Sequence, residues 1–304
     1  MRRKWYGRDT ELTVRMFLTM FLLTALYLGF LAVLWRAGAG FVTLLVVAVL
    51  LLGVQYFFSD KLVLLSMGAR VLKPGERPEL HAMVARLAAL ADLPEPRVAI
   101  IDHPMANAFA TGRNPRNSVV AVTTGILQKL DPEELEAVLA HELTHVKNRD
   151  AMVLTIASFL STVAFMIIRL SFFMGYGGGF GGGYGRRRDR EGQSIVFVYL
   201  AALVVWVVSF LLIRALSRYR EFAADRGSAI ITGAPSQLAS ALLKISGTMQ
   251  RIPQKDLREV EQMSAFFIVP AASGSSLMEL FSTHPSLEKR IARLKRIEQE
   301  MEAR

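Results

Sequence analysis

Apolar residues in this chain come in blocks. Four are long enough to cross the hydrocarbon core of a bilayer, which takes roughly 20 helical residues. They run over 16–35, 41–58, 152–174 and 195–213. Three contain no charged residue; the third block holds only Arg169, near its end, where a long side chain can snorkel to the headgroups. Core helices of soluble proteins keep a polar face over such lengths, so the blocks predict four transmembrane helices. The Arg-rich start fits a secretion signal, but the first apolar run exceeds the roughly 7–15 residues of a signal core. A second block follows after a short link, and the pair is expected to be a retained hairpin.

Two polar segments remain, 59–151 and 214–304. In the first, Leu80, Val84, Leu87 and Leu90 recur with helical spacing. The stretches RVAIID, NAFATG and SVVAVTTGIL then read as short strands broken by Pro104, Gly112, Asn114 and Pro115. A helix start follows in DPEELEAVLAHELTHVK: Asp131 can cap, Pro132 suits the first helical position and Glu134 completes a capping box. The second segment reads as helices, the last of them, SLEKRIARLKRIEQEMEAR, as a solvated amphipathic helix. The glycine-rich stretch between the third and fourth blocks, GYGGGFGGGYGRRRDREGQS, is expected to be a flexible linker.

Hydrophobic residues make up 52% of the chain, and there is no cysteine, which excludes disulfides and thiolate metal sites. The net charge of +10 is compatible with nucleic acid, but the membrane accounts for it more simply, since basic residues collect on the cytoplasmic flanks of spans. Arg2, Arg3, Lys4, Arg8 and Arg15 precede the first block. Lys61, Arg70, Lys73, Arg77, Lys147, Arg149, Arg214, Arg218, Arg220 and Arg226 flank the others on the same side. The opposite side has Arg36, Arg186, Arg187, Arg188 and Arg190. The bias places the N-terminus and both polar segments in the cytoplasm, with no nucleic-acid partner expected.

The chemistry concentrates in HELTH. Residues four apart share a helix face, so His141 and His145 can direct both imidazoles at one ion, while Glu142 projects beside it as a general base. A catalytic zinc needs a third protein ligand and an open position for water. His81, His103 and His284 are available, but RYREFAADRG offers a better candidate. Glu221 can bind the metal, and Asp225, four residues on, can orient a ligand histidine through its outer nitrogen. The same residues also suit an exposed helix of carboxylates among arginines. Glu221 is separated from His145 by two apolar blocks, and that even number puts both on one side of the membrane.

HELTHVKNRD, a membrane hairpin and then SRYREFAAD resemble the HtpX family of membrane-bound zinc endopeptidases, gluzincin-type relatives of the CAAX prenyl proteases. The resemblance extends to NAFATG and the late STHPSLEKRI, and so covers nearly the whole chain. It implies one zinc ion per chain, with Glu221 as third ligand and Glu142 as base, and polypeptide substrates that are membrane or misfolded proteins under quality control. It does not account for the glycine-rich linker.

Asn107, Ala108, Phe109 and Ala110 can form an exposed strand edge whose main chain aligns an extended substrate; a plain structural strand is the alternative. His284 can donate to the developing oxyanion, or simply cap or pack before Pro285.

The expected fold is mainly α with a small β-sheet: four transmembrane helices plus a cytoplasmic, zincin-like catalytic domain assembled from two segments. Residues 1–58 form the first hairpin, 59–151 the first half of the catalytic domain, 152–213 the second hairpin with its Gly-rich loop, and 214–304 the second half with the third ligand. The protein is expected to be a multi-pass enzyme of the cell (inner) membrane, in contact with the lipid bilayer. The competing function is a zinc-stabilised, non-catalytic membrane scaffold or sensor, whose metal would be closed off by a fourth ligand such as His284.

Overall fold

The computed structural model describes residues 10–36, 63–177, 188–249 and 282–303, with isolated positions 46, 50, 53 and 61. Helix α1 (Thr10–Arg36) is followed by β1 (Arg70–Val71), α2 (Pro78–Leu90), β2 (Arg97–Ile101), β3 (Ala108–Thr111), β4 (Val119–Thr123), α3 (Thr124–Lys129) and α4 (Pro132–Asn148). Then come α5 (Asp150–Gly177), α6 (Arg188–Thr232), α7 (Pro235–Met249) and α8 (Leu287–Glu302). The chain is mainly helical with one small mixed sheet.

Three helices among the described residues are long and apolar enough to cross a membrane: α1, α5 over Asp150–Arg169 and α6 over Val196–Thr232. They carry the first, third and fourth apolar blocks. The second block, 41–58, falls outside the described residues apart from isolated positions, as does the middle of the glycine-rich stretch, 178–187. The described ends of that stretch are helical, since α5 runs on to Gly177 and α6 begins at Arg188.

The apolar helices pack through a seam of large residues against small ones. Leu23, Tyr27, Phe30 and Leu34 of α1 recur at helical spacing and meet Ala157 and Ala164 of α5 and Ala202 and Val205 of α6. Small residues let helix backbones approach where lipid offers no hydrophobic drive to associate. The Tyr27 hydroxyl donates to the Ala157 carbonyl at 2.6 Å, pinning α1 to α5.

The sheet has the order β1-β2-β4-β3, with β2 parallel to β4 and both outer strands antiparallel to their neighbours. Period-2 alternation splits it cleanly. Val120 and Val122 face the main core with Ala108, while Val119 and Ala121 face Ala99, Ile101 and Phe109 on the other side. Strand β4 is shorter than the apolar run SVVAVTTGIL suggests. The Thr123 hydroxyl accepts from the Ile126 amide and starts α3, ending the strand. Gly112 turns the chain out of β3 at φ 144, and a Cβ there would strike the backbone of Asn117 and Ser118.

The main core joins the two polar segments. Leu80, Val84, Leu87, Val138, Leu139 and Leu143 pack with Leu238, Leu242, Ile245 and Leu294. Helix α8 therefore differs from the solvated helix its alternating charges suggest: Arg290, Leu294 and Ile297 form a buried stripe. The fourth apolar block and the following SRYREFAADRGSAIIT, separate elements in the sequence reading, are one uninterrupted helix, α6, about 68 Å long at about 1.5 Å per residue.

Helices α4 and α6 come together closely at Gly227, where a Cβ would overlap the Thr144 side chain. Gly227→Ala is expected to cost about 1–3 kcal/mol through overpacking, measured as a lower thermal midpoint in detergent. Thr144→Ala in the same chain should recover part of it, because the clashing hydroxyl and methyl go with it.

Candidate metal centre

Helix α4 is fixed first at its N-terminus. The Asp131 amide donates to Glu134 Oε2 at 3.0 Å, as a capping box requires. Helix α7 grips the same end: Lys244 Nζ lies 2.7 Å from Asp131 Oδ2 and 2.8 Å from Glu134 Oε2, and the Ser240 hydroxyl donates to Glu134 Oε1 at 2.6 Å. Helix α4 ends at Arg149, which turns the chain through a left-handed conformation at φ 55 and leads directly into α5.

The helical spacing puts His141 and His145 on one face, with their Nε2 atoms 3.1 Å apart. Glu221 comes from α6 across the cleft: its Oε2 is 3.6 Å from His141 Nε2 and its Oε1 is 3.5 Å from His145 Nε2. The three ligand atoms all lie within 4.8 Å of one another. A tetrahedral ion with bonds of about 2.0–2.1 Å would separate its ligands by about 3.3–3.4 Å. The observed spacings bracket that value, and two imidazoles with a carboxylate are a donor set for a divalent transition metal. The residues present fit a metal ion.

Behind each histidine stands a carboxylate. Asp225 Oδ1 is 3.0 Å from His141 Nδ1, and Asp150 Oδ2 is 2.6 Å from His145 Nδ1. Each carboxylate is held by an arginine. Arg290 of α8 reaches Asp225 with Nε at 2.9 Å and Nη2 at 2.5 Å, and its Nη1 is 3.4 Å from Glu221 Oε2. Arg220 pairs with Asp150 and donates to the Asn148 carbonyl at 2.9 Å. The sequence reading missed Asp150, Arg220 and Arg290. Asp150 had a usable signal, a carboxylate five residues beyond a ligand histidine at a helix end. Arg290 had none, being one basic residue among many on an amphipathic helix.

Glu142 is buried beside the ligands and accepts the Ala110 amide at 3.0 Å on Oε2. The amide belongs to β3, the outer strand of the sheet among the described residues. Asn107, Ala108 and Phe109 are buried, so the edge expected to be exposed is partly open only from Ala110 on; Asn107 at the strand's start meets Thr123, its carbonyl accepting the Thr123 amide at 3.0 Å. The Phe109 side chain turns to the other face of the sheet. A cleft runs from Ala110 along Gly112 and Asn114 to His145 and Asp150. His284 is brought to the centre too, with Nδ1 3.1 Å from Glu221 Oε2. His103 stays in its turn, where Nδ1 accepts the Met105 amide at 3.1 Å.

These contacts shift the ionisation of the ion-free site. Burial disfavours the charged His141 ring, but its hydrogen bonds to the Asp225 and Glu221 carboxylates outweigh that and raise the pKa to about 9. His145 is likewise raised, burial being overcome by Asp150 and Glu221. Burial pushes the Glu142 carboxyl up, with His141 and His145 opposing. The direction for Glu142 is toward the range where a carboxylate can accept and return a proton near neutrality.

Peptidase family M48 matches residues 74–298. "Protease HtpX homolog" of Moorella thermoacetica is 67% identical over 304 residues, covering 99% of both chains. "Protease HtpX homolog 2" of Methanosarcina acetivorans is 61% identical over 302 residues, covering 99% of this chain and 100% of that one. The crystal structure of S. mikatae Ste24p is similar in fold, with a TM-score of 0.55 at 19% identity, over 94% of this chain and 67% of that one.

Asp225→Asn and Asp150→Asn should each weaken metal binding about 10–100-fold, read by competition against a chelator of known affinity. A bound ion must displace the His141 proton, so apparent affinity should climb from about pH 6 to about 9 and then level off. Without metal the sign reverses. The raised His141 contributes stability that is full below its ordinary value of 6.5 and is lost as pH rises through about 9; denaturant melts of chelated protein at several pH values would read it.

Proposed function

The chain belongs to peptidase family M48 and is a membrane metalloprotease, and from that premise we propose that one zinc ion per chain, held by His141, His145 and Glu221, serves hydrolysis of peptide bonds in membrane or misfolded proteins. The observation that carries this reading is the convergence of two imidazole nitrogens and one carboxylate oxygen beside a buried glutamate. When bound, zinc supplies a Lewis acid that polarises the scissile carbonyl and makes a water in the fourth position easier to deprotonate.

The chain's own residues do the rest. Glu142 takes the proton from the attacking water and returns it to the leaving amine. The Ala110 amide steadies Glu142, so the base and the strand edge are held in one register. Asp225 and Asp150 keep the outer nitrogens of His141 and His145 protonated, leaving Nε2 of each ring for the metal. An extended substrate lies along β3 in the stretch Asn107 to Ala110, hydrogen-bonding to main-chain groups of Ala108 and to the Ala110 carbonyl, since the Ala110 amide is held by Glu142. His284 meets Glu221 through Nδ1 and donates to the developing oxyanion through Nε2. Its position against Glu221 also supports a simpler role, holding that carboxylate in place.

The scaffold reading calls for four protein ligands. The group of possible ligands among the described residues has three, with His284 against Glu221, which favours an open position for water. The charge bias supports a cytoplasmic N-terminus and catalytic domain in the cell (inner) membrane, with four spans and two hairpins. A core shared by residues of 59–151 and 214–304 supports a catalytic domain assembled from those two segments.

Glu142→Gln should retain zinc and lose at least about 100-fold in cleavage rate. The assay is purified protein in detergent, chelated until zinc is added, with an unfolded test protein as substrate. Zinc loss in the variant, or undiminished cleavage, would remove Glu142 from the role of base. For His284→Asn, kcat should fall with zinc affinity kept; weaker zinc binding with unchanged turnover of the loaded enzyme would assign the ring to Glu221 alone.

A further inference from the structure

A groove of about 300 Å³ opens between α5 and α6, at the end of the apolar bundle nearest the metal centre. Its floor is aromatic. Phe165 of α5 stacks on Trp206 of α6 at 5.9 Å, and Trp206 meets Phe210 at 6.3 Å. At the polar end Arg214 lies over the Phe210 ring, 4.3 Å from its centroid. The α5 wall adds the hydroxyls of Ser158, Ser161 and Thr162, of which Ser158 donates to the Thr155 carbonyl at 3.1 Å and Thr162 to the Ser158 carbonyl at 3.1 Å. Among the described residues Arg214 is the groove's one charged donor.

Arg214 differs from the other arginines near the centre. Arg220 and Arg290 each hold a carboxylate, and Arg218 donates to the Ser282 carbonyl at 2.9 Å. Among the described residues no carboxylate lines the groove, no ion pair to Arg214 is found, and its Nε is buried without a hydrogen-bond partner. Arg218, one turn on, adds a second positive charge. The groove is an apolar, ring-lined channel with a cation at the mouth that no described carboxylate neutralises, placed where a span meets water.

We propose that this groove binds one anionic phospholipid, with its phosphate on Arg214 and an acyl chain along Phe165, Trp206 and Phe210. Free phosphate would satisfy the guanidinium and leave the rings uncovered. An apolar peptide segment would cover the rings and leave the guanidinium unpaired. A zwitterionic lipid brings a second cation toward Arg214 and Arg218. An anionic lipid answers both ends, and polybasic membrane-edge sites select such headgroups by charge. The groove's far wall is Thr283, next to His284, so the lipid touches the short segment that carries the ring to Glu221.

Trp206 is a built-in reporter. The full chain with Trp5→Phe and Trp35→Phe is placed in nanodiscs of phosphatidylcholine carrying a small fraction of brominated lipid. Brominated phosphatidylglycerol should quench Trp206 several-fold more than brominated phosphatidylcholine at equal fraction. Arg214→Gln should bring the two to the same level, with Arg214→Lys restoring the difference and so excluding a folding failure. Inorganic phosphate should leave the preference intact. Equal quenching by both lipids would reduce the groove to an unselective seat for tails, and a preference that survives Arg214→Gln would place the selection elsewhere; either overturns the proposal. So would loss of the preference on adding phosphate, or displacement of the anionic lipid by an uncharged transmembrane peptide.

Discussion

Two carboxylates buried one helical turn apart must be neutralised, and this requirement organises the active end of the molecule. Glu221 and Asp225 are 6% and 0% exposed on α6. Their partners come from elsewhere: His141 from α4, Arg290 from α8 and His284 from the segment before it. Removing one partner from a buried ion pair costs about 3–5 kcal/mol, because the other charge is stranded. One electrostatic demand therefore pins three separate pieces of chain onto one helix. A divalent ion adds positive charge to the same cluster, and in its absence His141 retains a proton to about pH 9 in partial compensation.

The membrane helices are part of the metal centre. The outer nitrogen of His145 rests on Asp150, the first residue of α5, and that of His141 rests on Asp225 of α6. Each of the two histidines is thus oriented by a carboxylate from a different apolar helix, and α6 also brings Glu221. Because α6 is unbroken from Arg188 to Thr232, the span and Glu221 lie on one continuous helix. The close approach of α4 and α6 at Gly227 and Thr144 leaves little room for either to slide.

Much of this was legible in the sequence because the relevant signals are local. HELTH needs only helical spacing, and the Asp131, Pro132 and Glu134 start is a short-range pattern that reappears as the capping of α4. Glu221 and Asp225, four apart, could be paired with the histidines because two intervening apolar blocks return the chain to the same side. Arg290 is different. Its contact with Asp225 spans 65 positions, and nothing in its neighbours distinguishes a buried guanidinium from the exposed ones beside it. The extent of α6 was hidden for another reason: a change from apolar to charged composition looks like a boundary, yet backbone hydrogen bonding continues through it. The Thr123 cap shows the reverse, where one hydroxyl ends a strand whose composition would have carried on.

The order of these residues along the chain has a consequence in time. A polypeptide emerges from its N-terminus, so His141 and His145 are made before either apolar helix that orients them, and Glu221 waits for both. Arg290 follows after a further stretch that includes α7. Until the helix bearing Arg290 has been synthesised, Asp225 and Glu221 have no guanidinium against them and the HELTH helix lacks the clamp behind its first histidine. On the reading proposed above, a nascent chain would therefore hold an unfinished centre until the helix bearing Arg290 had docked.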